Sequence, residues 1–187
     1  ILEGCGDKAA ARALAARAGL PVLPGTDAGI SVEGAQKFME SLGEGGAIML
    51  KAVGGGGGIG MRPVEDPAEL VATFARCASE ARSAFGDDRL YAERLFRRAR
   101  HIEVQVLGDG TGNVTHLGER ECSLQRQRQK IIEMAPAPGI SAATRSRILN
   151  AAVGLAAELK LDNLATVEFL IDATASPDDV AEPEIAF

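Results

Sequence analysis

Five consecutive glycines, Gly54 to Gly58, follow an apolar segment that carries Lys51 near its end. Glycine loses more backbone freedom on folding than any other residue, so ordering this run costs on the order of 3–5 kcal/mol relative to alanine. A chain tolerates this cost where a loop must move, or where bare backbone N–H groups must approach a ligand closely. Because a concave run of amides binds anions, the run favours a phosphate-binding loop, with a disordered surface linker as the alternative.

Two common phosphate-binding motifs do not fit this loop. Met61 and Arg62 stand where a Walker A motif requires a lysine and then a serine or threonine. The spacing of Gly55, Gly57 and Gly60 matches the dinucleotide fingerprint, but a run of glycines produces that match almost automatically. A proline follows soon after, where the fingerprint needs a helix to begin. The pattern therefore predicts a flexible lid between two strands.

Basic residues near this loop and further along the chain suggest an anionic ligand. Lys51 ends a buried strand, where a cation is expected to meet an anion, although an edge lysine that reaches solvent fits equally well. Lys8 opens a helix, where its charge opposes the helix dipole, so a solvated lysine is the simpler interpretation. Residues 89–130 contain nine Lys or Arg and five Asp or Glu, a net charge of +4. In an acidic protein this favours a small anion, with a solvated charge run as the alternative.

Polar side chains share one face of a strand predicted for residues 101–107. His101, Glu103 and Gln105 alternate there with apolar residues. Such a face can line a site, but a half-exposed sheet always has a polar face as well.

Glu168 is the second candidate on a strand, because it lies between Val167 and Phe169 and points away from them. A lone carboxylate on a buried sheet needs a partner or a metal ion. Mg²⁺ typically takes one or two carboxylates together with phosphate oxygens. Cys122, by contrast, is expected to pack rather than to react, since nothing marks it as a nucleophile.

These residues are placed on an alternation of helices and strands. Asp66, Pro67 and Glu69 give the clearest helix start, with an N-cap, a first-turn proline and a capping-box acid. The patterns predict helices at residues 7–18, 31–43, 66–86 and 142–160, and strands at 47–52, 90–95, 101–107, 113–119 and 164–171. The predicted N-caps of the other three helices are Asp7, Ser31 and Ser141. The order predicts an α+β chain, with a boundary near residue 95.

Composition excludes several classes of protein. The sequence has 187 residues, 46% of them hydrophobic, and no apolar run long enough for a membrane span of about 18 residues. A net charge of −6 opposes general nucleic-acid binding. Cys5, Cys77 and Cys122 lack CxxC spacing and fit a reducing, cytoplasmic compartment. The sequence begins at Ile1 and ends at Phe187 within an apolar segment, so both ends are expected to be cuts through a larger protein.

Short motifs occur in a specific order along nearly the whole chain. They are Gly6-Asp7-Lys8, Lys51 with the glycine loop and Gly60-Met61-Arg62, Arg100 to Leu107, Glu119 to Lys130, Ala135 to Pro138, and Thr166 to Leu170. Together they closely resemble the biotin carboxylase family of the ATP-grasp superfamily, whose members carboxylate biotin with bicarbonate and ATP.

The resemblance implies an ATP-grasp fold that is incomplete at both ends. Residues 1–22 would be a helix and linker from a preceding domain, and residues 23–95 the lid subdomain with the glycine-rich loop. Residues 96–187 would be the truncated first part of the C-terminal subdomain, a mainly antiparallel sheet.

The resemblance also assigns roles to individual residues. Lys130, with Gln125 nearby, would be catalytic on the bicarbonate side, and Glu168 would bind Mg²⁺ or Mn²⁺. Glu103 would line the nucleotide cleft. The residues expected to bind ATP are Lys8, Lys51, Gly57, Gly58, Met61, Glu93, Arg94, Leu95, Phe96, His101, Arg128 and Glu168.

The implied cofactors and partners belong to a larger enzyme. They are ATP, Mg²⁺, bicarbonate, biotin on a carboxyl carrier domain, and a carboxyltransferase domain or subunit. The parent is expected to be a homo-oligomer of a biotin-dependent acyl-CoA carboxylase, without nucleic-acid or membrane partners. The isolated chain is expected to be inactive, because further family ligands would follow Phe187.

Three positions depart from the family pattern. Ile59 and Gln127 stand where arginine is usual, and Arg128 occupies a position that varies between subfamilies. Two alternatives stay open: another ATP-grasp ligase, such as a carbamoyl-phosphate synthetase-like enzyme, or a non-catalytic nucleotide-binding segment. The stretch from Glu119 to Lys130 favours the carboxylases.

Overall fold

The computed structural model describes residues 8–54, 57–173 and 183–187, and side chains from residue 11 onward. Backbone contacts divide the described chain into two compact units. The N-terminal unit contains residues 8–13 and Leu23–Leu95. The C-terminal unit contains Leu14–Val22 and Phe96–Phe187.

The described chain combines helices with two antiparallel sheets. The helices are α1 Lys8–Arg17, α2 Val32–Ser41, α3 Leu70–Phe85 and α4 Ala142–Glu158, with a 3₁₀ turn at Pro67–Glu69. The strands are β1 Ile48–Ala52, β2 Met61–Val64, β3 Leu90–Arg94, β4 Ala99–Gly108, β5 Val114–Arg126, β6 Gln129–Met134, β7 Leu164–Asp172 and β8 Ile185–Ala186. One sheet has the order β2-β1-β3 and the other β6-β5-β4-β7-β8. The predicted α+β class is therefore confirmed.

In the N-terminal unit, capped helices pack on the three-stranded sheet. Ser31 accepts a hydrogen bond from the Gly34 amide at 3.1 Å and so begins α2, as predicted. Asp66 accepts from the Ala68 amide at 2.9 Å, although a 3₁₀ turn precedes α3 there. The residues that form the core include Ala35, Met39, Ile48, Leu50, Leu70, Cys77, Ala81 and Leu90.

In the C-terminal unit, one face of β4 is fully covered. Ile102, Val104 and Val106 have no exposed surface and share a core with Ile148 and Ala152 of α4. This matches the predicted alternation along β4. The helix begins after Ser141, whose hydroxyl accepts from the Thr144 amide at 3.0 Å.

The prediction was wrong for the segment after Glu119. It ended a strand there, but β5 continues to Arg126 and turns into β6, a strand that the pattern did not indicate. Val104 pairs with Glu119 and Val106 pairs with His116, so β5 carries one extra residue at this point. The strand passes through a bulge, and polar residues on both faces of the hairpin hid the period-two signal.

The cysteines follow the prediction where they are described. Cys77 and Cys122 are buried thiols rather than disulfides. Cys5 and the predicted helix cap at Asp7 lie outside the described residues.

Within the described part of the chain, every helix is too short or too polar to cross a membrane.

Two glycine substitutions test the packing of the C-terminal unit. A Cβ at Gly108 would lie 2.1 Å from the Leu161 carbonyl oxygen, whereas a Cβ at Gly154 in α4 would meet nothing within 4 Å. Gly108→Ala should therefore destabilise the protein by about 1–3 kcal/mol, as overpacking does. Gly154→Ala should stabilise it by about 0.5–1 kcal/mol, because alanine favours the helix. Urea unfolding measures both, and equal stability of Gly108→Ala and wild type would contradict the close approach.

Candidate functional site

Three neighbouring strands bring the polar candidates of the C-terminal unit together. Glu103 on β4 lies directly across from Glu168 on β7 and from Arg120 on β5. Lys130 on β6 pairs across the hairpin with Gln125. Since residues opposite each other in adjacent strands share a face, the register gathers side chains that lie far apart in sequence.

Glu103 is the centre of this group and is only 1% exposed. Its carboxylate accepts hydrogen bonds from Arg120, with Nε at 2.7 Å, and from the Lys130 ammonium. Burial by itself would raise the pKa of Glu103, but Lys130 and Arg120 outweigh it and hold that pKa below its usual value. The half-exposed polar face considered as an alternative is therefore wrong for Glu103, whose burial is compensated by two cations.

Lys130 bridges two carboxylates. Its ammonium also lies 3.1 Å from Glu168 Oε1. Burial lowers the pKa of Lys130, but hydrogen bonds and attraction to Glu103 and Glu168 raise it overall. The lysine is therefore charged at neutral pH and held at a fixed place.

Glu168 differs from the lone buried carboxylate predicted from its strand pattern. Its side chain is 57% exposed, and Oε1 lies 3.5 Å from His101 Nε2 as well as near Lys130. The His101 ring, followed by Lys130, lowers the pKa of Glu168 to about 2. An ionised, accessible carboxylate of this kind fits Mg²⁺, which prefers oxygen ligands.

His101 and Glu103 are less suitable ligands for Mg²⁺ than Glu168 is. His101, Glu103 and Glu168 offer ligand atoms within 4.8 Å of one another. Both oxygens of Glu103, however, already accept from cations. Imidazole is also a softer ligand than Mg²⁺ prefers. Glu168 is therefore the group that fits a hard cation best.

Gln125 orients His101. Its amide Nε2 lies 2.8 Å from the Cys122 carbonyl oxygen and 2.9 Å from His101 Nδ1. Because a carbonyl can only accept, it fixes which end of the amide is nitrogen, and the second amide hydrogen is then donated to Nδ1. The ring proton consequently lies on Nε2, which faces Glu168.

Cys122 packs beneath this group, as expected. It has no exposed surface, and burial, with a smaller contribution from Glu103, raises the pKa of its thiol to about 11. The thiolate is scarce at neutral pH, so the residue is a poor nucleophile.

A second charged group lies in the N-terminal unit, between β1, β3 and α1. Glu93 is 4% exposed and accepts a hydrogen bond from Lys51. Arg12 Nε lies 3.1 Å from the other carboxylate oxygen, as an ion pair without good hydrogen-bond alignment. Lys51 therefore pairs with a buried carboxylate of the same chain, and its predicted contact with an anionic ligand stays a prediction. Sequence reasoning missed Arg12, although its place one helical turn after Lys8 was a usable signal.

The end of the glycine loop has the backbone that only glycine adopts readily. Gly57, Gly58 and Gly60 have φ values of 66°, 75° and 63°. Met61 follows as the first residue of β2 and pairs with Lys51. Gly55 and Gly56 lie outside the described residues.

The remaining candidates occupy turns and element ends. Arg94 donates its amide to the Pro24 carbonyl and Leu95 to that of Ala47, both at 2.8 Å, which fixes the end of β3. Arg128 shares a two-residue hairpin turn with Gln127, with φ values of 64° and 50°. Lys8 is the first residue of α1, and its side chain lies outside the described part of the chain. Phe96 is the residue directly after Leu95.

The structure thus forms two groups from the candidates. His101, Gln125, Lys130 and Glu168 come together in the C-terminal unit, around the buried Glu103. Lys51 and Glu93 come together in the N-terminal unit.

Comparison with known proteins identifies the family. The model of the family described as carbamoyl-phosphate synthase L chain, ATP binding domain, matches residues 7–179. The chain therefore belongs to this family of ATP-binding domains.

Proteins similar to this chain include carboxylases and their biotin carboxylase parts. Pyruvate carboxylase of Aspergillus niger is 49% identical over 172 residues, which cover 91% of this chain and 14% of the relative. The biotin carboxylase of Campylobacter jejuni, solved as a β,γ-ATP complex, is 42% identical with a TM-score of 0.86. That match covers 97% of this chain and 40% of the solved one.

A third relative is the biotin carboxylase domain of Hydrogenobacter thermophilus 2-oxoglutarate carboxylase, solved as a dimer with MgADP, ADP and bicarbonate. It is 37% identical, with a TM-score of 0.87 over 98% of this chain and 40% of that one. The biotin carboxylase resemblance and the ATP-grasp fold are thereby confirmed. The chain spans well under half of each of these relatives.

Glu103→Gln tests the central ion-pair group. The amide keeps the shape of the side chain but leaves Lys130 and Arg120 without their shared anion, so stability should fall by about 1–3 kcal/mol. Asp88→Asn is the matched control, because its pair with Arg82 is exposed to solvent and should contribute little to stability. Urea unfolding at pH 7 gives both values, and equal losses would contradict the central role of Glu103.

Glu168 should contribute to the pH dependence of stability. Its folded pKa of about 2 lies below its unfolded value, so its contribution is present above about pH 4.5 and is lost as the pH falls towards 2. Glu168→Gln should therefore lose less stability than wild type between pH 5 and pH 3. Unfolding curves across that window measure the difference. Identical losses in the two proteins would contradict the lowered pKa.

Proposed function

We propose that this chain is the ATP-binding portion of a biotin carboxylase within a larger biotin-dependent carboxylase. The observation that carries the proposal is the fixed Lys130, held between Glu103 and Glu168 at the surface of the five-stranded sheet. A charged lysine beside an accessible carboxylate can hold an anion next to a metal-bound phosphate. The carboxylase relatives support this chemistry over that of other ATP-grasp ligases.

The proposed reaction begins with attack of a bicarbonate oxygen on the γ-phosphorus of ATP. ADP leaves, and the product carboxyphosphate then transfers its carboxyl group to a ring nitrogen of biotin on the carrier domain. Inorganic phosphate leaves in this second step, and the biotin nitrogen gives up its proton. Little covalent chemistry falls to the protein in phosphoryl transfer, so its task is to position the reactants and to stabilise charge.

Phosphate binding falls to the N-terminal unit in this proposal. Lys8 and Lys51 contact the phosphates, and Gly57 and Gly58 belong to a lid that closes over them. Residues 23–95 are this lid subdomain. A closed lid also shields carboxyphosphate from water. Support comes from the left-handed glycines and from the strand position of Lys51 beside Met61.

The nucleotide base is assigned to the segment from Glu93 to Phe96, with His101 and Arg128 as further contacts. Hydrogen bonds hold the backbone of Arg94 and Leu95 in place. A segment with a fixed backbone suits the recognition of a nucleotide base. Residues 96–187 would belong to the C-terminal ATP-grasp subdomain.

Bicarbonate is assigned to Lys130, with Gln125 in support through its hydrogen bond to His101. Glu168 would hold Mg²⁺ or Mn²⁺, which when bound neutralises charge on the phosphates. The low pKa of Glu168 and its exposure are what support this role.

The proposed partners are a biotin carboxyl carrier domain and a carboxyltransferase domain or subunit, with a homo-oligomeric parent in the cytoplasm. The solved Hydrogenobacter domain dimer supports the oligomer. The buried thiols Cys77 and Cys122 support a reducing compartment.

The full-length polypeptide that carries this chain should hydrolyse ATP only when bicarbonate and biotin are both present. Lys130→Ala should lower kcat by about 100-fold or more while Mg·ATP binding stays within about threefold of wild type. Lys37→Ala, an exposed lysine on α2, is the control and should leave both quantities unchanged.

Two outcomes would contradict the proposal. Equal loss of nucleotide binding and turnover in Lys130→Ala would remove the bicarbonate role. Turnover that needs bicarbonate and ammonia but ignores biotin would indicate a carbamoyl-phosphate type of ligase instead.

A further inference from the structure

Glu93 and its two cations form an unbalanced charge group in the N-terminal unit. One buried carboxylate faces both Lys51 and Arg12, so one positive charge remains after the first is neutralised. A cation in excess at a partly buried place favours an anionic ligand.

Arg12 is anchored independently of Glu93. Its Nη2 donates to the Leu23 carbonyl oxygen at 2.6 Å. A Cβ at Gly25 would lie 2.6 Å from the same guanidinium, so only glycine leaves room for it there. Gly25 in turn bridges to Glu93 on the backbone. The guanidinium is therefore held by the Leu23 carbonyl and by Glu93, and it fills the space that a side chain at residue 25 would need. Lys51, by comparison, donates to Glu93.

The second cation lowers the free-energy cost of moving Lys51 away from Glu93. Removing one partner from a buried ion pair leaves an uncompensated charge and is strongly unfavourable. If Lys51 were the only cation, each approach to a phosphate would strand Glu93 in this way. With Arg12 in place, the carboxylate keeps a partner and Lys51 can turn to an anion at much lower cost.

We infer that Arg12 is a positioning residue that keeps Glu93 neutralised and so frees Lys51 to bind the phosphates of a nucleotide. The inference rests on the proposed function for the identity of that anion. It assigns Arg12 no contact with the ligand. Arg12 also lies one turn after Lys8, the first residue of the same helix.

The test compares three probes on the full-length polypeptide: Mg·ATP, tripolyphosphate and adenosine. Arg12→Met keeps the apolar stem but removes the charge, and should weaken Mg·ATP and tripolyphosphate binding by about tenfold, about 1.4 kcal/mol. Adenosine binding should stay within about twofold of wild type, because it lacks phosphate. Arg12→Lys should restore binding of the phosphate ligands to within about threefold.

Two further variants separate positioning from folding. Gly25→Ala pushes the guanidinium aside without changing any charge and should weaken the phosphate ligands in the same direction. Arg17→Met makes the same change as Arg12→Met at an exposed position of α1 and should leave all three affinities unchanged. If Arg12→Met proves too unstable to assay, Gly25→Ala decides the question.

Each outcome has a separate meaning. Wild-type affinities for Mg·ATP and tripolyphosphate in Arg12→Met would overturn the inference, as would an equal loss for adenosine. Binding of tripolyphosphate but not of ATP by wild type would overturn the proposed function alone, and Arg12 would then be judged with tripolyphosphate. Binding of none of the phosphate probes by wild type would overturn both.

Discussion

A carboxylate buried within a sheet must be neutralised by the strands beside it, and Glu103 imposes this constraint on the C-terminal unit. An isolated charge at 1% exposure would cost several kcal/mol, so its cations must be in place when the sheet forms. Arg120 comes from the neighbouring strand and Lys130 from the edge hairpin. Because Glu103 needs Lys130 as a counter-ion, Lys130 is held next to Glu168 as well. The charged group of the C-terminal unit follows from this arrangement.

The N-terminal unit also contains a buried carboxylate that needs a positive partner, but there two cations face one carboxylate. The carboxylate is that of Glu93, and the cations are Arg12 from a helix and Lys51 from a strand. Arg12 also donates to the Leu23 carbonyl oxygen, so Glu93 would keep a counter-ion if Lys51 turned to a ligand. A buried carboxylate with two cations therefore differs in net charge from the C-terminal group, where two cations face two carboxylates.

Much of the fold could be predicted because its signals are local. Ser31 and Ser141 cap the helices that they were expected to cap, and the alternation along β4 placed Ile102 and its apolar neighbours in the core. The hairpin of β5 and β6 could not be predicted in the same way. Its bulge breaks the period of two, and its polar residues are stabilised by partners on other strands rather than by burial of one apolar face.

The class of fold, the family and the residue types available for chemistry can be read from the amino-acid sequence, because helix caps, periodicity and ordered motifs depend on neighbouring positions. The contacts among those residues depend on the three-dimensional fold. It showed that Glu103 is a buried counter-ion, that Glu168 is exposed and paired, and that Arg12 shares Glu93 with Lys51. These relations depend on strand register and helix placement, which join residues far apart in the chain and leave no local pattern.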